Sequence, residues 1–365
     1  MSLEHPKVLI VGCGGIGGVL STYLAAQQRC ELQIRLRQGL REQRLQTVVG
    51  HGGMRQAPVL VGEQVALSSV DFALLTTQPN DVEQAVRTIS PALSPQSTVV
   101  CFQNGLCEEL VAPLVPAGVS IAGAVVAWGA SARGAATFER TSAGGFTLGW
   151  LVPPAKSTIA NERLERLAGL LSCVGPIRTT DNLLGARWAK LAFNCAISSL
   201  STITGQRLGV LLRRALARRL ALEIISEVLV VAEASKIAVE PLGGTLRPKW
   251  LAIEPSSTTL SLLSKHFLML LVGAKYRRLR SSMLAALERG RTPPVDFLNG
   301  EIVRRAERLG IETPFNAAIN ELVLQLAAGR GTPSLEQLLV LQARAVSQVA
   351  RGAARASLKN PWSAA

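Results

Sequence analysis

The sequence predicts an α/β fold in which an amino-terminal domain with a doubly wound parallel sheet is followed by an all-helical domain. Three observations lead to this prediction. The apolar run at residues 8–11 is followed directly by a glycine-rich turn at residues 12–17. Strand-like and helix-like segments then alternate to about residue 180, which is typical of a parallel sheet covered by helices. From about residue 182 only the helical period of apolar residues continues.

The glycine-rich turn has the G-x-G-x-x-G spacing of a dinucleotide-binding loop of the Rossmann type. Gly12 allows the tight turn, Gly14 lets the backbone approach a pyrophosphate, and Gly17 lets the following helix pack against its strand. The phosphates would meet free N–H groups at the start of that helix. We expect the cofactor to contact Gly12, Cys13, Gly14, Gly15, Ile16 and Gly17. A plain glycine turn is the alternative.

The other elements of the first domain follow in order. After a helix that ends near residue 28, the pattern predicts strands at 32–36, 72–76 and 98–102, and a helix at 82–89. Shorter strands at 119–127, 136–139 and 146–148 close the domain, which we place at residues 1–180. In such a sheet the cofactor binds at the carboxyl ends of the strands.

The second half of the chain is predicted to be helical. Helical periodicity covers residues 183–203, 213–235, 257–272, 297–309 and 316–328. We place a helical substrate and catalytic domain at residues 181–330. A C-terminal helix and tail follow at 331–365, with residues 351–365 expected to fray.

Composition excludes several classes of protein. The chain has 365 residues, 48% of them apolar, and a net charge of +14. Its arginines are scattered along helices with little aromatic interleaving, so we expect a solvated basic face and no nucleic-acid binding; attraction of a phosphorylated or carboxylate ligand remains open. The six cysteines and three histidines show no zinc-ligand or disulfide spacing, so no metal is expected. With no targeting segment or membrane span evident, we expect a cytoplasmic protein without membrane contact.

The end of the second predicted strand indicates which dinucleotide is bound. NAD-binding domains carry an acidic residue there, about twenty residues after the glycines, to bind the ribose 2′-hydroxyl. This chain has Arg35 and Arg37 and no carboxylate at that place. A guanidinium pairs well with a 2′-phosphate, so we expect NADP(H). The alternative is that these arginines merely solvate a strand end.

One helix of the second domain carries a polar row. Lys190, Asn194 and Ser198 are spaced i, i+4 and i+8, while the residues between them are mostly apolar. A polar row on an otherwise apolar helix faces water or a site. A solvated lysine is the alternative for Lys190.

Together these segments resemble the ketopantoate reductase (2-dehydropantoate 2-reductase) family, whose members reduce a 2-keto acid with NADPH. The matching text, in family order, is Gly12-Cys13-Gly14-Gly15-Ile16-Gly17, Gln103-Asn104-Gly105, Trp188-Ala189-Lys190-Leu191-Ala192-Phe193-Asn194-Cys195, Ser281-Ser282-Met283-Leu284, Val295-Asp296-Phe297-Leu298-Asn299-Gly300 and Gly310-Ile311-Glu312-Thr313-Pro314-Phe315-Asn316. The resemblance spans about residues 7–325 and identifies the chain as a divergent member.

The resemblance implies a role for each matched residue. Lys190 would be the general acid that protonates the carbonyl oxygen, and Asn104 would lie between cofactor and substrate. Asn194, Ser198 and Ser282 would bind substrate oxygens. Gln78 stands where the family has a lysine near the cofactor phosphate, so cofactor selectivity would rest mainly on Arg37.

Departures from the family pattern affect the substrate. Ser198 and Leu208 stand where the family has asparagines, and Pro294 replaces a glutamate near the substrate. Asp296 could supply a carboxylate nearby, although its family counterpart more often has a local structural role. We expect a reductase of a small 2-keto acid, with 2-dehydropantoate as the default. A divergent reductase for another carbonyl or imine and an inert NADP(H)-binding protein are the alternatives, and a monomer and a homodimer both remain open.

Overall fold

A computed structural model describes residues 5–35, 43–49, 53–59, 69–134, 136–254 and 256–359 of the chain. The chain forms two compact units, Met1–Arg187 and Trp188–Ala365. The division falls a few residues after the boundary placed at 180 from sequence, and it lies within a helix. Residues 331–365 belong to the same unit as the other carboxyl-terminal helices.

The main sheet of the first unit has seven strands in the order β11-β10-β7-β6-β5-β1-β2. These strands are β1 (Lys7–Val11), β2 (Glu31–Arg35), β5 (Phe72–Leu75), β6 (Thr98–Cys101), β7 (Ser120–Val126), β10 (Phe146–Val152) and β11 (Ile177–Thr179). Neighbours pair in parallel except for β10, which runs antiparallel to β7. The Rossmann-type sheet predicted from sequence is confirmed. Its strand order reverses between β1 and β5, the place where open α/β sheets bind ligands.

Both faces of this sheet are buried because successive residues of a strand point to opposite sides. In β1, Val8 and Ile10 pack into one apolar cluster, while Leu9 and Val11 pack into the cluster on the other face. Helices α1 (Gly15–Gln27), α2 (Val82–Ile89), α3 (Cys107–Val111) and α4 (Ser157–Leu171) belong to this unit. Continuous apolar strands covered on both sides are what a doubly wound sheet requires.

A second sheet of four strands, in the order β4-β3-β9-β8, was not predicted from sequence. It comprises β3 (Gln43–Val49), β4 (Gly53–Val59), β8 (Ala130–Ala132) and β9 (Thr137–Arg140). The strand expected at 136–139 belongs here and pairs in parallel with β3. The strand is therefore part of the first unit, as expected, but it lies outside the main sheet.

The second unit is helical, as predicted. Its helices are the end of α5 (Leu183–Phe193), then α6 (Ser199–Thr204), α7 (Leu208–Leu211), α8 (Ala215–Ala234), α9 (Thr259–Lys275), α10 (Ser282–Glu288), α11 (Asn299–Leu309), α12 (Pro314–Ala327) and α13 (Gln337–Lys359). A π-helical turn at Asn194–Ser198 joins α5 to α6. Because α13 continues to Lys359, the frayed tail expected from residue 351 is helical up to that residue. Among the described residues, no helix is long and apolar enough to cross a bilayer.

Candidate active site

The glycine-rich turn is fastened to two neighbouring strands. Gly12 has a φ of +96°, a conformation that favours glycine. Its N–H donates to the Arg35 carbonyl at the end of β2 (3.0 Å), and its carbonyl accepts from the Thr76 hydroxyl just after β5 (2.6 Å). The turn is therefore held rigidly at the point where the strand order reverses.

The space around the turn fits the pyrophosphate of a dinucleotide. A Cβ on Gly17 would lie 2.1 Å from the Gly12 carbonyl oxygen, so only glycine lets α1 pack this closely. A Cβ on Gly14 would meet no protein atom within 4 Å. Gly14 is also the N-cap of α1 and supplies no side-chain hydrogen bond to its first turn. An open concavity beside a helix N-terminus without a side-chain cap suits an anion.

Three of the other residues expected to bind the cofactor follow or end strands of the main sheet. Arg35 ends β2 and is partly exposed, and the exposed Gln78 follows β5. Asn104 is partly exposed and follows β6. The carboxyl ends of parallel strands share one edge of a sheet, so the structure brings these three positions to the edge where the glycine turn lies. Arg37 lies outside the described residues.

A buried ion pair supports the loop that carries Asn104, and no sequence motif pointed to it. Arg187 and Glu108 are 2% and 1% exposed, and the guanidinium contacts the carboxylate through both Nε (2.7 Å) and Nη2. The same guanidinium donates to the carbonyl oxygens of Gln103 (2.8 Å) and Cys101 (2.7 Å). Burial raises the pKa of the Glu108 carboxyl, and the charge of Arg187 opposes that rise.

Room for this pair is made by Gly123 of β7, because a Cβ there would lie 2.3 Å from the Glu108 carboxylate. The backbone between β6 and α3 is thereby tied to a fixed charge pair. One polar atom in that loop remains unused: within the described part of the chain, the buried Oε1 of Gln103 has no hydrogen-bond partner.

The polar row predicted on the helix that carries Lys190 is visible in the pattern of exposure. Lys190, Asn194 and Ser198 are each partly exposed, whereas residues 191–193, 195–197 and 199–204 are all buried. Among the described residues, the Asn194 Nδ2 has no acceptor although it is buried. An unused buried amide donor costs free energy, which a ligand oxygen would recover.

Ser282 lies on the helix that packs next to this row. It is the exposed first residue of α10, and α10 contacts both the π-helical turn and α6. The neighbouring Ser281 is buried and caps α10 by accepting from the N–H groups of Met283 and Leu284. The Ser281 hydroxyl therefore caps the helix, whereas Ser282 is exposed.

Comparison with known proteins decides the family. Residues 8–152 match the family described as "Ketopantoate reductase PanE/ApbA", and residues 182–327 match "Ketopantoate reductase PanE/ApbA C terminal". The chain belongs to the ketopantoate reductase family. It is therefore a member of a family of oxidoreductases, as the sequence motifs indicated.

Individual relatives of this family member are distant. The chain is similar to a 2-dehydropantoate 2-reductase of Pyrobaculum aerophilum, 31% identical over 47% of this chain and 51% of the relative, so it spans about half of that protein. It is 25% identical to a 2-dehydropantoate 2-reductase of Mesorhizobium japonicum over 89% and 99% of the two chains. Among solved structures, a D-mandelate dehydrogenase with NADH and anilino(oxo)acetate shares the fold at a TM-score of 0.73, with 19% identity and coverage of 89% and 100%.

This family member lacks a carboxylate at the position of Pro294, and its neighbours do not replace it. Pro294 begins a short 3₁₀ turn, Pro294–Phe297. Asp296 Oδ1 accepts from Asn320 Nδ2 (3.1 Å), and the Asp296 carbonyl accepts from Arg304 (2.6 Å). Asp296 therefore holds α11 and α12 together. Leu208 is 1% exposed, so that position also offers no polar group.

Proposed function

We propose that the chain is an NADP(H)-dependent reductase that converts a small 2-keto acid into the 2-hydroxy acid, with 2-dehydropantoate as the default substrate. The observation that carries this proposal is the polar row of Lys190, Asn194 and Ser198 on a helix that is otherwise buried. Family membership and the rigid glycine turn support it. A carbonyl reduction needs a proton donor and donors for the substrate oxygens, and this row supplies both.

Each residue of the site has a proposed role. The reduced nicotinamide, when bound, supplies the hydride that reaches the carbonyl carbon. The Lys190 ammonium donates the proton that the carbonyl oxygen gains, so the alkoxide never develops full charge. Asn194 Nδ2, Ser198 and Ser282 donate hydrogen bonds to the substrate oxygens, and Asn104 orients the reacting groups. A neutral pocket with one ammonium suits an anionic substrate.

For the cofactor we propose contacts from Gly12, Cys13, Gly14, Gly15, Ile16 and Gly17 to the pyrophosphate. Arg35 and Arg37 would pair with the 2′-phosphate, with Gln78 nearby. The absence of a carboxylate at the end of β2 favours NADP(H) over NAD(H), because a carboxylate there would repel the 2′-phosphate. Parallel titrations of NADPH and NADH, followed by nicotinamide fluorescence, test this; tighter binding of NADH would refute the preference.

A second candidate substrate is a bulkier, less polar 2-keto acid. Pro294 and the buried Leu208 leave fewer polar groups for a hydroxylated side chain, and Asp296 is engaged with Asn320. A pocket that lacks these polar partners no longer rejects an apolar substituent strongly. The solved D-mandelate dehydrogenase with its aromatic ligand shares this fold.

The decisive experiment measures NADPH oxidation at 340 nm with ketopantoate and with phenylglyoxylate, for the wild type and for Lys190→Ala. Lys156→Ala is the matched control because Lys156 is an exposed lysine of the other unit. We expect wild-type and control turnover at least a hundredfold above that of Lys190→Ala. Tight NADPH binding without NADPH oxidation in the presence of any 2-keto acid would refute the proposal and indicate an inert binding protein.

A further inference from the structure

The π-helical turn at Asn194–Ser198 separates the residues of the proposed substrate row. In an uninterrupted α-helix each four-residue step overshoots a full turn by about 40°, so a row of three residues drifts by about 80°. A π-turn closes through i→i+5 bonds and needs more than four residues per revolution, so its four-residue step falls short of a full turn. The overshoot of the α-helical step from Lys190 to Asn194 and the shortfall of the π-helical step from Asn194 to Ser198 therefore oppose each other. The three residues stay on one line of the helix surface, which agrees with the partial exposure of all three.

A side chain from another helix occupies the place where the α-helical ladder is broken. The Ser199 N–H bonds to the Ala196 carbonyl and not to Cys195, its α-helical partner. The Cys195 carbonyl instead accepts from Asn299 Nδ2 at 3.0 Å. Insertion of a side chain into the i→i−4 ladder is a recognised cause of local helix distortion.

Asn299 is fixed in position from every side. It is 0% exposed at the start of α11. Its Oδ1 accepts from the Ser199 hydroxyl (2.5 Å), and its Nδ2 also donates to Asn316 Oδ1 (2.9 Å). The Asn316 amide in turn donates to Glu227 of α8 (2.7 Å). A fully satisfied buried network of this kind selects a single arrangement of the elements that it joins.

We propose that Asn299 is a positioning residue of the substrate site: its amide holds the π-helical turn and thereby keeps Asn194 and Ser198 aligned with Lys190. This inference rests on the proposed function of that row. Asn299 itself touches no substrate, since it is buried beneath the turn. Its loss weakens substrate binding through Asn194 and Ser198 and leaves the glycine turn of the other unit unaffected.

The test compares Asn299→Ala with Ser199→Ala. Ser199→Ala removes one hydrogen bond of the same amide but keeps the bond between Asn299 and the Cys195 carbonyl, so it is a matched control. We expect Asn299→Ala to raise the KM for the 2-keto acid at least tenfold, with the NADPH Kd within twofold of wild type. Ser199→Ala should leave KM within twofold. A loss of folded enzyme lowers the apparent kcat but not KM, so a merely structural role would not produce this difference.

Hydrogen exchange gives a second readout that needs no substrate. Peptides covering residues 190–204 should exchange faster in Asn299→Ala than in Ser199→Ala, while peptides of the glycine turn should not change. If Asn299→Ala does not fold, Asn299→Ser is used, because its hydroxyl is too short to replace the amide bond to Cys195.

The possible failures are distinguishable. The proposed function is contradicted if the wild type binds NADPH but does not oxidise it with any of the 2-keto acids tested. Hydrogen exchange at residues 190–204 then still shows whether Asn299 holds the π-helical turn. Equal KM values in an active wild type and Asn299→Ala, equal KM increases in both variants, or unchanged exchange at residues 190–204 would overturn the positioning role.

Discussion

The buried pair of Arg187 and Glu108 gives a quantitative prediction about stability. Arg187→Met leaves the Glu108 carboxylate buried without its partner, and removing one member of a buried pair costs about 3–5 kcal/mol. The guanidinium bonds to the carbonyls of Cys101 and Gln103 are lost as well, which adds on the order of 1 kcal/mol. Because burial already raises the pKa of Glu108, protonation of the carboxylate limits the total. We expect a loss of about 4 kcal/mol in the first unit.

The assay is urea denaturation with hydrogen exchange as the readout. Exchange is measured in peptides that contain β6 and β7, so that unfolding of the first unit is observed by itself. The control is Arg87→Met, since Arg87 and Glu83 form an ion pair at 2.8 Å with side chains 59% and 66% exposed. An exposed pair contributes little, and the control should change stability by less than about 0.5 kcal/mol. A loss in Arg187→Met no greater than in Arg87→Met would refute the reasoning.

Three further predictions concern the glycine turn, the polar row and the buried Glu227. Gly14→Ala should keep the wild-type Tm, because a Cβ at residue 14 meets no protein atom within 4 Å, but it should weaken NADPH binding at least tenfold in a fluorescence titration. The control is Gly169→Ala, where a Cβ is equally unobstructed but lies within α4, and it should leave the Kd for NADPH unchanged. Asn194→Ala should raise the KM for the 2-keto acid without weakening NADPH binding, and an unchanged KM in steady-state assays would contradict its role. Burial raises the pKa of Glu227 from 4.5 to about 7, so its contribution to stability is full below about pH 4.5 and falls by about 3 kcal/mol as pH rises through 7. Glu227→Gln should lack that slope in urea titrations at each pH, and an identical slope would refute the assignment.

The sequence predicted the parts of the fold that depend on local pattern. Apolar runs such as residues 8–11 are buried on both faces of a sheet, so their composition alone reveals a parallel strand. The hairpin of β3 and β4 was not predicted, because apolar and polar residues do not alternate clearly in its strands, which contain polar residues such as Gln43 and Gln56. Strand β9 was predicted, but its pairing with β3 in a second sheet was not, since periodicity does not identify the pairing partner.

The candidate site shows the same division. The spacing of Lys190, Asn194 and Ser198 revealed the polar row, but an i, i+4, i+8 pattern is also what a regular helix gives, so it could not reveal the π-turn. The partners that shape the site come from distant parts of the chain: Asn299 lies 104 residues from Cys195, and Arg187 lies 79 residues from Glu108. One signal was present in the sequence: Asn299 directly follows the apolar residues Phe297 and Leu298, as a buried amide with fixed partners can.

Pro294 stands where the family resemblance implies a glutamate, and this leads to a definite expectation about specificity. Asp296 is the only carboxylate in the 3₁₀ turn Pro294–Phe297, and its side chain and carbonyl are committed to Asn320 and Arg304. A glutamate at this position would accept a hydrogen bond from a substrate hydroxyl, and without it that hydroxyl has no partner. An unpaired buried polar group costs about 1–3 kcal/mol. Transition-state stabilisation for a hydroxylated substrate should fall by that amount, which is about 5- to 150-fold in kcat/KM. A substrate with an apolar group at that position should lose nothing. Pro294→Glu should thus raise kcat/KM for ketopantoate over that for phenylglyoxylate, and an unchanged ratio would show that this position does not face the substrate.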